Sequence, residues 1–347
     1  MKALVWKDGK KLALEERPIP VLTSEDDILI KIKYTGICGT DLQVVKGNET
    51  IVPNIILGHE AVGEVVEKGS HVTEYEIGDH VIIDPNQYCC DCHYCKEGLT
   101  NFCIGWEGGL RIAGINVDGT FAEYFVTHKR YAYKVPQGMS LEAAVMIEPM
   151  ACVLNNLRAA EIKEDDSVLV IGSGPMGALC QMMAKKSAAF VAASENSPYR
   201  IEVCQPFNDY TFTSETLDAD KIREVNNGRL FDVIIDTVGT QMEKMLTLCE
   251  KGGRLVPMGM NKVYTAEIKP YQFISQGLKL IGASEYNMLF EDTIRAARRY
   301  PELKALVTGK YQLDDYEEAF NDILGYDMDS GEKKSISQMK AVFEFLG

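Results

Sequence analysis

Two groups of residues in this 347-residue chain carry side chains that bind metals. Cys89, Cys92, Cys95 and Cys103 form C-x2-C-x2-C-x7-C in a polar stretch that includes Gly98. Four thiolates at such intervals can wrap one tetrahedral ion, and a closed four-sulfur shell leaves no position for substrate. The spacing therefore predicts a structural zinc in a lobe over about residues 86–105. An iron–sulfur cluster would use the same donors, Cys90 competes with Cys89 for the first place, and His93 offers a nitrogen that the cysteine set does not need. The second group is Cys38-Gly39-Thr40-Asp41, followed by Gly58-His59-Glu60, Gly63 and Gly69. A thiolate, an imidazole and a carboxylate from two loops can fill three positions on zinc and leave the fourth open, as a catalytic ion requires. Asp41 is placed to orient His59 from behind.

A third group points to a nucleotide. Ser167-Val168-Leu169-Val170-Ile171 is an apolar run of strand length, and Gly172-Ser173-Gly174-Pro175-Met176-Gly177 then opens a helical stretch from Ala178 to Lys186. This is G-x-G-x-x-G in context: the first glycine makes the turn, the second lets backbone approach a pyrophosphate, and the third packs helix on strand. A second apolar run, Phe190 to Ala193, ends at Ser194-Glu195, about 20 residues further on, where an acid would meet the ribose hydroxyls. Glu195 would repel a ribose 2′-phosphate, which favours NAD over NADP, and Arg200 is the neighbour that could accept such a phosphate. Strands at Phe231–Asp236 and Gly253–Met258 end near Val238, Met258 and Gly259, which are candidates to line the cofactor crevice.

These residues need elements to hold them. Alternating β-branched segments at Ile28–Tyr34, Ala61–Val66 and His80–Ile83, bounded by glycine, aspartate or proline, predict short strands with tight corners, the material of a partly closed barrel. The tail shows helical spacing over Glu291–Arg299 and Tyr311–Leu324 and a closing strand at Lys340–Phe345. With 46% apolar and 25% charged residues the chain can bury real cores. Its net charge of -15 gives it no global reason to hold nucleic acid or an anionic membrane. No apolar run is an uninterrupted span, no leader-like segment follows Met1, and ten cysteines without one suggest thiols in a reducing, cytoplasmic setting. Cys152, Cys180, Cys204 and Cys249 lack ligand spacing and are expected to be buried thiols.

Taken together, the motifs give a family likeness. Gly58-His59-Glu60-x2-Gly63-x5-Gly69, the four-cysteine lobe and the glycine fingerprint follow one another as in the zinc-containing medium-chain alcohol dehydrogenases, which the chain resembles over essentially its whole length. The resemblance implies an α/β protein with two domains: a GroES-like β-barrel catalytic domain over residues 1–150 and 286–347, and a Rossmann NAD-binding domain with a doubly wound parallel sheet over 151–285. The polyol branch fits best, because Glu148-Pro149 stands where classical members carry a third zinc-binding cysteine; sorbitol and threonine dehydrogenases look nearest.

By resemblance, Cys38, His59 and either Glu148 or Glu60 surround the catalytic zinc, and Thr40 accepts the alcohol proton. Two positions depart from the pattern. Gln43 stands where many relatives have a proton-carrying histidine, and Glu285 stands where sorbitol dehydrogenases typically have an arginine. The expected activity is hydride transfer between NAD and a secondary alcohol or ketone of a polyol, sugar or related small molecule, with two zinc ions per chain. A threonine-type or amino-alcohol dehydrogenase is the alternative within enzymes, and a non-catalytic nucleotide-binding protein is the rival from another class. A homodimer or homotetramer is the implied assembly.

Overall fold

In the computed structural model, residues 1–7, 11–328 and 330–345 are described. The chain separates into two compact units, residues 1–151 with 287–347, and residues 152–286.

In the first unit the longest strand, Asp27–Gly36, organises the rest. Its β-branched side chains Ile28, Ile30 and Ile32 are fully buried against Val65, Val81, Ile83 and Phe125. Apolar burial of this kind is the main force holding such a sheet together. One edge of the strand pairs antiparallel along its length with Glu60–Lys68, which continues to His80–Ile83 and Ala132–Lys134. The other edge is shared: residues Asp27–Lys31 pair with Tyr124–His128, and Tyr34–Gly36 pair with the tail strand Lys340–Glu344. Register shifts after Leu29 and Ile32 mark irregularities of the kind that bend a strand and let a sheet curl. A second core, including Leu4, Leu57, Phe121, Phe320 and Phe343, lies beneath the tail helix Tyr316–Leu324.

The tail corrects one expectation. Tyr311 does not begin a helix; it ends the strand Val307–Tyr311, which runs parallel to Lys340–Glu344, and a 3-10 turn at Leu313–Asp315 precedes the helix. Tertiary pairing with the tail strand overrides the local helical spacing.

The second unit is a six-stranded, wholly parallel sheet. Its strands lie in the order Tyr210–Phe212, Phe190–Ser194, Ser167–Ile171, Phe231–Asp236, Cys249–Pro257, Lys279–Leu280. In chain order this is 3-2-1-4-5-6, and the direction of winding reverses between the first and fourth strands, the position where such sheets bind nucleotides. Fully buried Leu169, Ile234, Leu255, Phe212 and Phe231 fill its core. Cys180, Cys204 and Cys249 are buried, and burial pushes each thiol up to about 12. Cys152, expected to be buried, is half-buried on the helix Ile147–Ala159. Among the described residues no helix is long and apolar enough to cross a membrane.

Candidate metal and nucleotide sites

The first metal-binding group forms where two strands of the barrel end. Asp27–Gly36 leads through Ile37 to Cys38, the N-cap of the helix Gly39–Val45, while His59 and Glu60 open the neighbouring strand. Gly36 pairs with Glu60 across the sheet, so the ladder itself brings the two loops together. One donor atom from each of Cys38, His59 and Glu60 lies within 4.8 Å of the others. Asp41 accepts the Cys38 backbone N–H at 2.8 Å through Oδ2, and its Oδ1 lies 4.0 Å from His59 Nδ1. The hydroxyl of Thr40 sits 3.7 Å from the Cys38 sulfur.

The polar atoms of this site are buried without hydrogen-bond partners: Asp41 Oδ1, His59 Nδ1 and Glu60 Oε1. Orphaned groups of this kind are costly in a folded protein, and a cation is the natural occupant of a pocket lined by sulfur, nitrogen and carboxylate. Burial alone would push the His59 imidazole down, but Cys38, Asp41 and Glu148 drive it well above its ordinary value. Burial outweighs the attraction of His59 and raises Asp41. The direction on His59 describes a negatively charged pocket, and that on Asp41 a deeply buried one.

Glu148 occupies the first turn of its helix, is 8% exposed, and acts electrostatically on His59. It falls outside the compact donor set, whereas Glu60 falls inside. Gln43 is tied up locally, its amide oxygen accepting from Asn48 at 2.9 Å. Lys340, read in the sequence only as the start of a closing strand, reaches the site. Its ammonium is 2% exposed, forms an ion pair with Glu60 Oε2 and donates to the Ile37 carbonyl at 2.9 Å.

The second group assembles in the lobe. Sulfurs of Cys89, Cys92, Cys95 and Cys103 lie within 4.8 Å of one another, with Cys89 and Cys95 at 3.9 Å. Backbone N–H groups of Asp91 and Cys92 point at the Cys89 sulfur at 3.3 and 3.2 Å, and those of Cys89 and Gly105 at the Cys103 sulfur at 3.2 and 3.4 Å. Such donors stabilise thiolates. Those of Ile104 and Cys95 hold the Cys92 thiol down to about 6, while burial raises Cys95 and Cys103. Cys90 lies outside this set, exposed, with Arg130 donating to its sulfur at 2.8 Å. His93 stacks on Tyr94 with ring centroids 4.0 Å apart.

In the second unit the glycine loop follows the strand Ser167–Ile171, and Gly174 caps the helix Pro175–Ala184. A Cβ on Gly177 would stand 2.0 Å from the Gly172 carbonyl oxygen, so the close packing of helix on turn excludes any side chain there. Pro175 and Met176 form the first helical turn, half-buried. Glu195 closes over the loop: Oε2 accepts from Ser173 N–H at 2.9 Å, and Oε1 from Asn196 and Ser197 N–H at 2.8 and 2.9 Å. The Arg200 guanidinium would lie 3.8 Å from a Cβ placed on Gly174, and its Nε is buried without a hydrogen-bond partner.

Val238, 49% exposed, and Met258 and Gly259 cluster at the carboxyl ends of the fourth and fifth strands. Asp236, which sequence reasoning passed over, arranges them. Its carboxylate accepts from Val238, Gly239 and Gln241 N–H, and its carbonyl from Met258 and Gly259. Its position at the end of an apolar strand, ahead of Thr-Val-Gly, was the available signal.

A barrel with a thiolate–imidazole–carboxylate pocket and a sheet wound 3-2-1-4-5-6 around a glycine loop together define a metal- and nucleotide-dependent oxidoreductase. The profile described as "Alcohol dehydrogenase GroES-like domain" matches residues 24–137, and that described as "Zinc-binding dehydrogenase" matches 175–300. A "Probable D-xylulose reductase A" of Neosartorya fischeri is 31% identical over 332 residues, covering 90% of each chain. The sorbitol dehydrogenase of Bacillus subtilis is 27% identical over 336 residues, 94% of each. The crystal structure of 2R,3R-butanediol dehydrogenase from Bacillus subtilis superposes with a TM-score of 0.86 at 26% identity, covering 99% of both chains. The chain belongs to the zinc-binding alcohol dehydrogenase family and is an enzyme of that class.

Proposed function

We propose that this enzyme interconverts a secondary hydroxyl of a polyol, sugar or related small molecule and the corresponding ketone, with NAD as the hydride partner. The observation that carries the reading is the pocket at Cys38, His59 and Glu60, with its unpartnered buried atoms. The names of the xylulose, sorbitol and butanediol relatives support the substrate class. A zinc ion there would supply Lewis-acid polarisation of the substrate oxygen, and NAD the acceptor for the hydride.

The chain's own residues do the rest. Asp41 holds the helix turn that carries Cys38 and faces the His59 ring. Thr40 presents a hydroxyl beside the Cys38 sulfur, placed to take the alcohol proton. Gln43, engaged with Asn48 and without a group that titrates near neutrality, cannot pass that proton on. Its exit runs through water or a ribose hydroxyl.

The test is NADH formation by zinc-loaded protein on polyols, inositols, amino alcohols and simple secondary alcohols, with and without chelator. Chelator-sensitive turnover on the polyols is expected. Turnover confined to amino alcohols would move the substrate assignment to the threonine-type branch, and silence with one zinc per chain would favour the non-catalytic reading.

Glu195 carries the cofactor preference. Pinned by three N–H donors, its carboxylate is a fixed acceptor for ribose hydroxyls and a fixed repulsion for a 2′-phosphate. Glu195→Ala should cut the NAD-over-NADP ratio of kcat/KM by roughly 100-fold, about what a hydrogen bond to a charged group is worth. Adding Arg200→Ala should then lower NADP use specifically. An unchanged ratio in Glu195→Ala would place cofactor choice elsewhere.

For the assembly, the sheet ends at Lys279–Leu280, whose outer edge pairs with no described strand, and Tyr271, Ile274 and Leu280 are exposed nearby in sequence at 75%, 80% and 43%. Exposed edges and apolar side chains are commonly covered by association. This supports the homodimer or homotetramer, and Ile274→Asp should shift mass by light scattering toward the monomer. No disulfide joins the described cysteines, which supports a reducing, cytoplasmic setting.

A further inference from the structure

Gln181 is an unexpected side chain for its place. It is fully buried on the helix Pro175–Ala184, whose other buried members are small or apolar. A buried amide is costly unless it is hydrogen-bonded, and this one is held at both ends. Its Nε2 donates to the Ser173 hydroxyl at 2.9 Å, and its Oε1 accepts from Asn208 Nδ2 at 2.9 Å. Asn208 also donates to the Cys204 carbonyl at 3.0 Å, and its Oδ1 accepts from the Thr211 hydroxyl at 3.1 Å. The chain of bonds thus has one direction. Thr211, on the strand Tyr210–Phe212 at one edge of the sheet, gives to Asn208, Asn208 to Gln181, and Gln181 to Ser173.

Ser173 is where this chain meets the nucleotide loop. It stands between Gly172 and Gly174, and Gly172 has φ 93°, a conformation open to glycine. Glycines on both sides leave the peptide between them free to turn unless something holds it. Ser173, 1% exposed, is held at all three of its polar groups. Its hydroxyl takes the Gln181 bond, its carbonyl accepts from the Cys204 thiol at 3.8 Å, and its N–H donates to Glu195 Oε2 at 2.9 Å. Of the three N–H groups on Glu195, two belong to Asn196 and Ser197, which follow it in sequence. The third, from Ser173, is the bond that ties this carboxylate to the glycine loop.

We propose that Gln181 is a positioning residue for the nucleotide, acting through Ser173 to fix the Glu195 carboxylate against the glycine loop; this rests on the reading of Glu195 as the acceptor for ribose hydroxyls. A directed hydrogen bond sets the rotation of Ser173 and with it the aim of its N–H. An apolar pair of the same size would fill the space without aiming anything. The amide in the core of the helix is there for direction, and the bonds to Asn208 and Thr211 hold that amide in one orientation.

The test is binding of NADH and NADPH without substrate, followed by nicotinamide fluorescence. Gln181→Leu keeps the bulk and removes both bonds, so its Kd for NADH should rise by roughly 10-fold, the upper range for one hydrogen bond. Its Kd for NADPH, which Glu195 repels in any case, should change less, so the preference for NADH falls. Ser173→Ala should do the same, and provides the test should Gln181→Leu fail to fold. Combining the two replaces both partners by apolar groups, an exchange that can be nearly neutral for stability. The melting temperature of the double variant should return toward wild type while NADH stays weakly bound. In a Glu195→Ala background, adding Gln181→Leu should leave NADH binding where Glu195→Ala alone puts it.

Stability and NADH affinity that recover together in the double variant would overturn the proposal and leave Gln181 as packing for the helix. NADH affinity unchanged in Gln181→Leu and Ser173→Ala would do the same, as would losses that add fully in the Glu195→Ala background. Failure of the underlying reading looks different: Glu195→Ala by itself would then bind NADH as tightly as wild type.

Discussion

Cys38→Ser should lower kcat/KM by roughly 1,000-fold or more while leaving the melting temperature within a few degrees of wild type. The exchange keeps the size of the side chain and removes the sulfur, so the donor set of Cys38, His59 and Glu60 loses its thiolate. Lewis-acid stabilisation at such an ion is worth several kcal/mol, and about 4 kcal/mol corresponds to a factor near 1,000. The fold has no comparable stake. Cys38 is half-buried at the N-cap of a seven-residue helix, and serine is among the preferred residues at that position. Metal analysis should find one zinc in place of two. Turnover surviving in this variant, or a melting temperature that collapses with it, would contradict a catalytic role for the site.

What the sequence made legible was local. The glycine loop is written in six consecutive residues whose roles follow from backbone geometry, and the structure sets them between a strand and a helix. The four lobe cysteines lie within fifteen residues, and the structure brings their sulfurs together while leaving Cys90 outside. Pairing across the chain was not legible. Glu60 and Glu148 could not be ranked by spacing, because the compact set depends on which strand pairs with which. Lys340 escaped for the same reason: its partner Ile37 is 303 residues away, and the space for it is the missing side chain of Gly36. A lysine followed by Ala-Val-Phe at a buried strand start was the faint signal. Tyr311 shows the opposite error, local helical spacing read where a strand partner decides.

Cys95→Ser should show the reverse balance from Cys38→Ser, a large loss of stability with turnover at low temperature kept within a few-fold. The lobe has little else to hold it. Its regular elements are a four-residue helix His93–Lys96, a 3-10 turn Thr100–Phe102 and a two-residue pairing of Asn86–Gln87 with Arg111–Ile112. Phe102 and Ile104 are exposed at 47% and 57%, so apolar burial there is slight. On the proposed reading of the four cysteines as a zinc site, a segment this poor in core would draw its order from the ion, whose binding energy would then be folding energy, on the order of 10 kcal/mol or more for isolated zinc modules. Within a larger barrel only part of that is lost. A loss of about 3 kcal/mol would lower the melting temperature by roughly 10 °C. Limited proteolysis should cut first between residues 89 and 110, and the second zinc should remain bound and chelatable, since its donors lie on the strand ends at Cys38 and His59. Equal stability of this variant and wild type would remove the structural role from the four-cysteine cluster. Stability lost together with turnover that heating and cooling cannot separate would mean that the two centres do not divide their work between fold and chemistry.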